Sequence, residues 1–184
     1  MITGAAGGEG QHLAVELARR GATVAAVDIN PLGLDETVGR IRQDGGTVKE
    51  YVYDIAKQLP AVALVEQVLD DWGRIDILVL AGEVHPVDPI LTMDEWDFHR
   101  TLDVNLAGPF YLMQRVGKAM VQQGGGLIVV DAGEGRHVGL PQPDREGAAY
   151  RASKAGLAAL AAAAAQELAR YNIQVMRIDD LKYD

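Results

Sequence analysis

Several residue types are missing or scarce in this sequence, and each shortage excludes a class of function. Cysteine is absent from all 184 residues, which excludes disulfides, thiolate nucleophiles and thiolate metal sites. The same absence fits an intracellular protein, so a cytoplasmic location is expected. The four histidines lack the spacing of metal ligands, and no metal site is predicted.

Positive charge and long apolar runs are also scarce. The 17 lysines and arginines are outnumbered by 26 aspartates and glutamates, and a formal net charge of -9 argues against nucleic acid as a partner. The longest uncharged helical stretch, residues 155–165, is far shorter than the roughly 20 residues of a membrane-spanning helix. The first residues also lack the basic and apolar regions of a secretion signal. Neither membrane insertion nor export is therefore expected.

Predicted strands alternate with predicted helices along the whole chain. Buried apolar runs predict five strands, at residues 23–28, 47–53, 75–80, 127–131 and 173–178. Helical periodicity predicts helices at residues 31–41, 61–72, 93–123 and 149–171, the third of them broken at Gly108-Pro109. Asn30 can cap the first of these helices, whose first turn holds Pro31. This alternation is typical of parallel β-α-β units. It predicts an α/β fold with a doubly wound parallel sheet, in one domain over residues 1–184.

Very little sequence precedes the first predicted helix. Only Met1 and Ile2 stand before Thr3, although the first strand of such a sheet belongs near its middle. The chain also stops soon after the last predicted strand. A domain that is trimmed at both ends is therefore expected.

A glycine-rich turn connects this strand remnant to the first helix. Gly4, Gly8 and Gly10 stand in the order strand, turn, helix. Glycines let the backbone turn sharply and approach a pyrophosphate, and the helix N-terminus offers free N–H groups to the anion. An ordinary tight loop is the alternative interpretation. The context favours a dinucleotide site.

The run Thr3-Gly4-Ala5-Ala6-Gly7-Gly8-Glu9-Gly10 has the form T-G-x-x-x-G-x-G. In this respect, and along essentially its whole length, the chain resembles the short-chain dehydrogenase/reductase family. The resemblance implies a Rossmann-type three-layer αβα fold that binds NAD or NADP. Glu9 stands among the predicted cofactor contacts, at a position where the family usually has an apolar residue.

The resemblance extends to further cofactor positions. Asp28, at the end of the predicted second strand, would accept hydrogen bonds from the adenosine ribose and repel a 2′-phosphate, so NAD is favoured over NADP. Asp54 and Ile55 resemble the family's adenine-contacting pair, although Asp54 could equally cap a local turn. Ala81 and Gly82 match the last two letters of the family's N-N-A-G, whose asparagines are missing here.

Tyr150 and Lys154 are the predicted catalytic pair. They lie four residues apart, which places them on one face of a helix. This is the family's Y-x-x-x-K, which implies that Tyr150 exchanges a proton with the substrate while Lys154 favours the phenolate and grips the nicotinamide ribose. An exposed tyrosine beside a solvated lysine is the alternative. Asn105 resembles the family's asparagine that holds a relay water, and it could also simply bend its helix.

The serine that completes the family's catalytic tetrad is missing. Gly133 stands at its position, and the one serine of the chain, Ser153, lies inside the tyrosine-lysine motif. Loss of such a hydrogen-bond donor typically costs about 10²-fold or more in rate. Three residues could substitute, and His137 is the best of them by reach and donor ability; the other two are Asp131 and Glu134. The family's P-G after the last strand is replaced by Asp179-Asp180.

Two functions are therefore predicted. The first is an oxidoreductase that transfers a hydride between NAD(H) and a small-molecule secondary alcohol or ketone, with Tyr150 as general acid/base. The alternative is a family member with little or no turnover that serves as a dinucleotide-binding or assembly subunit. The family resemblance also implies a homodimer or homotetramer.

Overall fold

A six-stranded, wholly parallel sheet forms the centre of the protein, in a computed structural model that describes residues 1–133 and 147–180. The strands are β1 (Ile2–Thr3), β2 (Val24–Asp28), β3 (Val48–Val52), β4 (Ile77–Leu80), β5 (Gly126–Val130) and β6 (Ile173–Arg177). Their order across the sheet is β3-β2-β1-β4-β5-β6. The predicted α/β class and the doubly wound parallel sheet are thereby confirmed.

Helices cover both faces of this sheet. They are α1 (Gly8–Arg19), α2 (Pro31–Gln43), α3 (Gln58–Trp72), α4 (Glu95–Leu102), α5 (Gly108–Gln123) and α6 (Ala148–Leu168). One buried cluster joins α1 and α2 to the sheet, and a second joins α3, α5 and α6 to its other face. The two cores give three layers, as in other parallel sheets that are buried on both faces. Within the described residues, no helix is long and apolar enough to cross a membrane.

The short strand β1 lies in the middle of the sheet, as predicted. Ile2 pairs with Ala26 on one side and with Val79 on the other. The strand order reverses between β1 and β4, because β2 and β3 extend one way and β5 and β6 the other. A ligand crevice forms outside the carboxyl ends of the strands at such a switch point.

The predicted helix over residues 93–123 is wrong in detail. Instead of one helix broken at Gly108-Pro109, the chain forms α4, a π-helical segment at Asp103–Ala107, and then α5, which begins at Gly108. The proline lies in the first turn of α5, directly after the π-helical segment, and the preceding Gly108 N–H donates to the Asp103 carbonyl. A Cβ on Gly108 would lie 2.9 Å from the Ile55 carbonyl oxygen, so this glycine serves close packing.

Candidate active site

A crevice of about 1020 Å³ opens at the carboxyl ends of the central strands. One wall is the turn between β1 and α1, and the other is formed by the segments that follow β2, β3, β4 and β5. Nearly all predicted cofactor residues line it. These are Gly4, Gly8, Glu9, Asp28, Asp54, Ile55, Ala81, Gly82 and Tyr150. Gly10 lies behind the wall, and the Lys154 side chain reaches the crevice residue Glu83.

The turn before α1 has the geometry of an anion cradle. Helix α1 begins at Gly8, and no side chain caps it within the described part of the chain, so its first N–H groups face the crevice. Gly4 and Gly8 adopt positive φ angles of 71° and 54°. A Cβ on Gly10 would lie 2.3 Å from the Gly4 carbonyl oxygen, so only glycine allows α1 to approach this turn so closely. These residues fit a diphosphate group.

Glu9 lies at the mouth of this cradle. It is exposed, belongs to the first turn of α1 and lines the crevice. The dipole of α1 stabilises a carboxylate at this position, but a bound diphosphate would be repelled by it.

Asp28 is fixed at the end of β2 by two backbone donors. The Ala6 N–H donates to its Oδ2 at 3.1 Å, and the Asn30 N–H donates to its Oδ1 at 2.9 Å. The Asn30 side chain caps α2 by accepting from the Gly33 N–H, as predicted. Asp28 is therefore not needed as a helix cap, and its carboxylate remains on the crevice wall.

Asp54 takes part in a local turn and in an ion pair. Its Oδ1 accepts from the Ala56 N–H at 3.2 Å, which is the turn contact that the sequence left open. Arg100 of α4 donates to both carboxylate oxygens at 3.2 Å. An adenine contact by Asp54 and Ile55 stays a prediction.

The turn after β4 is braced by a residue of β1. The Thr3 hydroxyl oxygen accepts from the N–H groups of both Ala81 and Gly82 at 3.2 Å. A Cβ on Gly4 would lie only 2.7 Å from the Ala81 carbonyl oxygen, so the two turns pack tightly. Thr3 thus supplies hydrogen bonds to the turn after β4. This is the segment in which the asparagines of the family's N-N-A-G are missing.

Tyr150 and Lys154 come together on α6 at the far end of the crevice. The Lys154 Nζ lies 5.5 Å from the centre of the Tyr150 ring. The Tyr150 hydroxyl donates to Glu83 Oε2 at 3.0 Å, and the Lys154 Nζ lies 2.5 Å from the same oxygen. Both side chains are buried, with Tyr150 2% and Lys154 5% exposed. Solvated and independent side chains are therefore excluded for this pair.

A second carboxylate lies close to the Lys154 ammonium. Lys154 donates to the Asp131 backbone carbonyl at 2.7 Å, and its Nζ lies 3.6 Å from Asp131 Oδ2. Burial raises the pKa of the Asp131 carboxyl above its ordinary value, while the charge of Lys154 acts in the opposite direction and that of Glu83 adds to the rise.

Asn105 is buried in the π-helical segment, with 1% of its surface exposed. Its Oδ1 accepts from the Val84 N–H at 2.8 Å, and its Nδ2 donates to the Val84 carbonyl at 2.9 Å and to Ser153 Oγ at 3.0 Å. Both amide hydrogens are therefore used. The predicted relay water would therefore have to bond to an oxygen of Asn105, because no hydrogen of its Nδ2 is left to donate.

Gly133 occupies the position expected for the missing serine, next to the end of β5. A Cβ there would lie 2.6 Å from Asp179 Oδ2, so a larger residue requires Asp179 to move. The Gly133 N–H donates to the Asp131 carboxylate. Two of the proposed serine substitutes, Glu134 and His137, lie outside the described residues.

Sequence reasoning missed three residues of this site. Glu83 contacts both members of the predicted catalytic pair, and Arg100 pairs with Asp54. His85 packs against the Tyr150 ring with the ring centres 3.9 Å apart and the ring planes tilted by 40°. The available signal for Glu83 was its place directly after the Ala81-Gly82 match.

Comparison with known proteins identifies the family. A family model described as short chain dehydrogenase matches residues 1–179. The chain belongs to the short-chain dehydrogenase family. Its relatives are named dehydrogenases and reductases, so this member of the family is an oxidoreductase. The suspected resemblance is thereby confirmed.

Two curated short-chain dehydrogenases illustrate the similarity in sequence. The chain is 36% identical over 180 residues to D-threitol dehydrogenase of Mycolicibacterium smegmatis, covering 97% of this chain and 67% of that protein. It is 35% identical over 175 residues to a 3-oxoacyl-[acyl-carrier-protein] reductase of Thermotoga maritima, covering 95% and 70%. The chain thus spans about two thirds of the length of these relatives.

Solved structures of the family agree with the fold. An NAD⁺-bound xylitol dehydrogenase matches with a TM-score of 0.86 and 32% identity, over 95% of this chain and 66% of that one. A metagenomic short-chain oxidoreductase in complex with NADP matches with a TM-score of 0.87 and 30% identity, over 96% and 78%. Both nicotinamide dinucleotides thus occur among the structural neighbours.

Proposed function

We propose that this chain transfers a hydride between NAD(H) and a secondary alcohol or ketone, with Tyr150 as general acid/base. The observation that carries the proposal is one continuous crevice. It is lined by the glycine turn at one end and by Tyr150, next to Lys154, at the other. A dinucleotide bound along it would bring its reactive ring to the phenol.

Each residue then has a defined task. The N–H groups at the start of α1 bind the diphosphate. The nicotinamide ring, when bound, accepts or supplies the hydride. Tyr150 accepts the alcohol proton in oxidation and returns it in reduction, while the Lys154 ammonium favours the phenolate by its charge. The buried position of both groups strengthens this electrostatic effect.

NAD is the proposed cofactor, because Asp28 presents a carboxylate to the crevice. A carboxylate accepts hydrogen bonds from ribose hydroxyls and repels a 2′-phosphate. Its two backbone contacts hold it in place. NADP is the less favoured alternative.

Small polyols are the proposed first substrates to test. The relatives named D-threitol dehydrogenase and xylitol dehydrogenase are 36% and 32% identical to this chain. Both names refer to polyols, which carry secondary alcohols flanked by further hydroxyl groups.

Calorimetry and turnover together test the proposal. Binding of NAD and NADH is measured first, and NADH formation is then followed with D-threitol, xylitol and simple secondary alcohols. We expect Tyr150→Phe to bind NAD like the wild type but to lose about 10²- to 10⁴-fold in turnover. Turnover that survives Tyr150→Phe would contradict the assignment of the acid/base.

A dinucleotide-binding or assembly subunit is the second candidate function. Gly133 in place of the catalytic serine favours it, because glycine supplies no side-chain hydrogen-bond donor to the substrate oxygen. Tight NADH binding without Tyr150-dependent turnover on any substrate would support this alternative.

We further propose that the chain forms a homodimer or homotetramer. Phe98 of α4 and Phe110 of α5 are 40% and 44% exposed, and exposed aromatic side chains are enriched in protein interfaces. Sedimentation at micromolar concentration tests this, and a monomer alone would contradict it.

A further inference from the structure

We propose that Glu83 is the positioning residue of the Tyr150–Lys154 pair, a role that rests on the proposed function. One carboxylate oxygen, Oε2, accepts the hydrogen bond of the Tyr150 hydroxyl and forms the ion pair with Lys154. Two side chains on neighbouring turns of α6 are thus held by a single atom from the opposite wall of the crevice.

The charge of Lys154 makes such a partner necessary. Its side chain is 5% exposed, and a buried ammonium is stable only when it is paired and hydrogen-bonded. Of the two nearby carboxylates, Glu83 is at 2.5 Å and Asp131 at 3.6 Å. Glu83 is therefore the nearest countercharge, and it fixes the position of the ammonium together with the Asp131 backbone carbonyl at 2.7 Å.

The backbone around Glu83 is held on both sides. The preceding Gly82 N–H donates to the Thr3 hydroxyl oxygen at 3.2 Å. The following Val84 exchanges two hydrogen bonds with the buried Asn105 side chain. Glu83 thus projects from a segment tied to both β1 and the π-helical turn, which gives its carboxylate a defined direction.

This arrangement gives Asn105 a definite part in the site. By binding both polar backbone groups of Val84, it fixes the residue next to Glu83, and through Ser153 it is also tied to α6. The π-helical segment, the turn after β4 and the catalytic helix are therefore linked through one buried amide. Glu83 is the end of this linkage that contacts Tyr150 and Lys154.

Two substitutions separate geometry from charge. Glu83→Gln keeps a carbonyl oxygen that can accept both hydrogen bonds, whereas Glu83→Ala removes the oxygen altogether. We expect Glu83→Ala to lower kcat by about 100-fold, as misplaced catalytic groups do, with a much smaller change in the dissociation constant of NAD. Glu83→Gln should recover part of the loss in kcat. Glu95→Gln, an exposed carboxylate on α4, is the control for lost charge and should match the wild type.

A crystal structure of Glu83→Ala without cofactor provides a readout that does not depend on turnover. We expect the Lys154 Nζ to shift until it lies about 3 Å from the Asp131 carboxylate, because that is then the nearest countercharge. Lys154 and Tyr150 remaining in their wild-type positions would overturn the proposal.

The kinetic results can also overturn it. Unchanged kcat in Glu83→Ala would show that the carboxylate does not position the pair, and a tighter NAD complex with equal or higher kcat would show that Glu83 instead blocks the cofactor. Failure of the wild type to bind NAD or to turn over would defeat the proposed function. The crystal comparison would still decide whether Glu83 holds the two side chains.

Discussion

Replacing Asp28 with asparagine tests the proposed preference for NAD. Asparagine has nearly the same shape and keeps one oxygen that can accept from the backbone, but it removes the negative charge from the crevice wall. Of the Ala6 and Asn30 N–H groups that donate to Asp28, the variant side chain can accept from one through its single oxygen. We therefore expect the variant to bind NADP better relative to NAD, with little change in fold.

The size of the effect follows from Coulomb's law. At about 5 Å and an effective dielectric constant of about 40, a carboxylate and a phosphate repel each other by about 1.7 kcal/mol per unit of phosphate charge. For a phosphate charge of roughly -1 to -1.5, the ratio of the NADP and NAD dissociation constants should fall by about 10- to 100-fold.

Isothermal titration calorimetry with both dinucleotides at one fixed, low ionic strength measures this ratio. Asp35→Asn is the matched control, because it removes an exposed carboxylate from α2 outside the crevice. The proposed role of Asp28 would be contradicted if the ratio of the NADP and NAD dissociation constants were equal in the wild type and in Asp28→Asn. A wild type that binds NADP more tightly than NAD would also contradict it.

Two further predictions concern stability, measured by urea unfolding. Gly10→Ala should lower the free energy of unfolding by about 1–3 kcal/mol through overpacking, because the new Cβ would lie 2.3 Å from the Gly4 carbonyl oxygen. The control is Gly39→Ala, at a helical position with open space, which should raise the free energy of unfolding slightly. Asn105→Ala should cost about 1–3 kcal/mol, because it removes the partner of two partly buried backbone groups of Val84. An unchanged stability would contradict the linkage through Asn105.

Much of the fold could be predicted because its signals are local. Apolar runs predicted strands β2 to β6 to within one or two residues at each end. Asn30 and Pro31 predicted the start of α2 correctly, since a cap and a first-turn proline act on neighbouring backbone groups. The π-helical segment could not be predicted, because a shift in hydrogen-bond register leaves no mark on the apolar pattern.

The site was only partly predictable for a related reason. The glycine turn and the Tyr150–Lys154 pair are short motifs, and the structure places them along one crevice. Glu83 and Tyr150 are 67 residues apart, and Arg100 and Asp54 are 46 apart. Only tertiary structure brings them together, so no spacing rule indicates their contact.

A crystal structure of the chain with saturating NAD tests the central claim most directly. Diphosphate density is expected against the N–H groups at the start of α1, with the Asp28 carboxylate within hydrogen-bond distance of the adenosine ribose. A crevice that holds no dinucleotide, with the Glu9 carboxylate turned into the glycine turn, would contradict it.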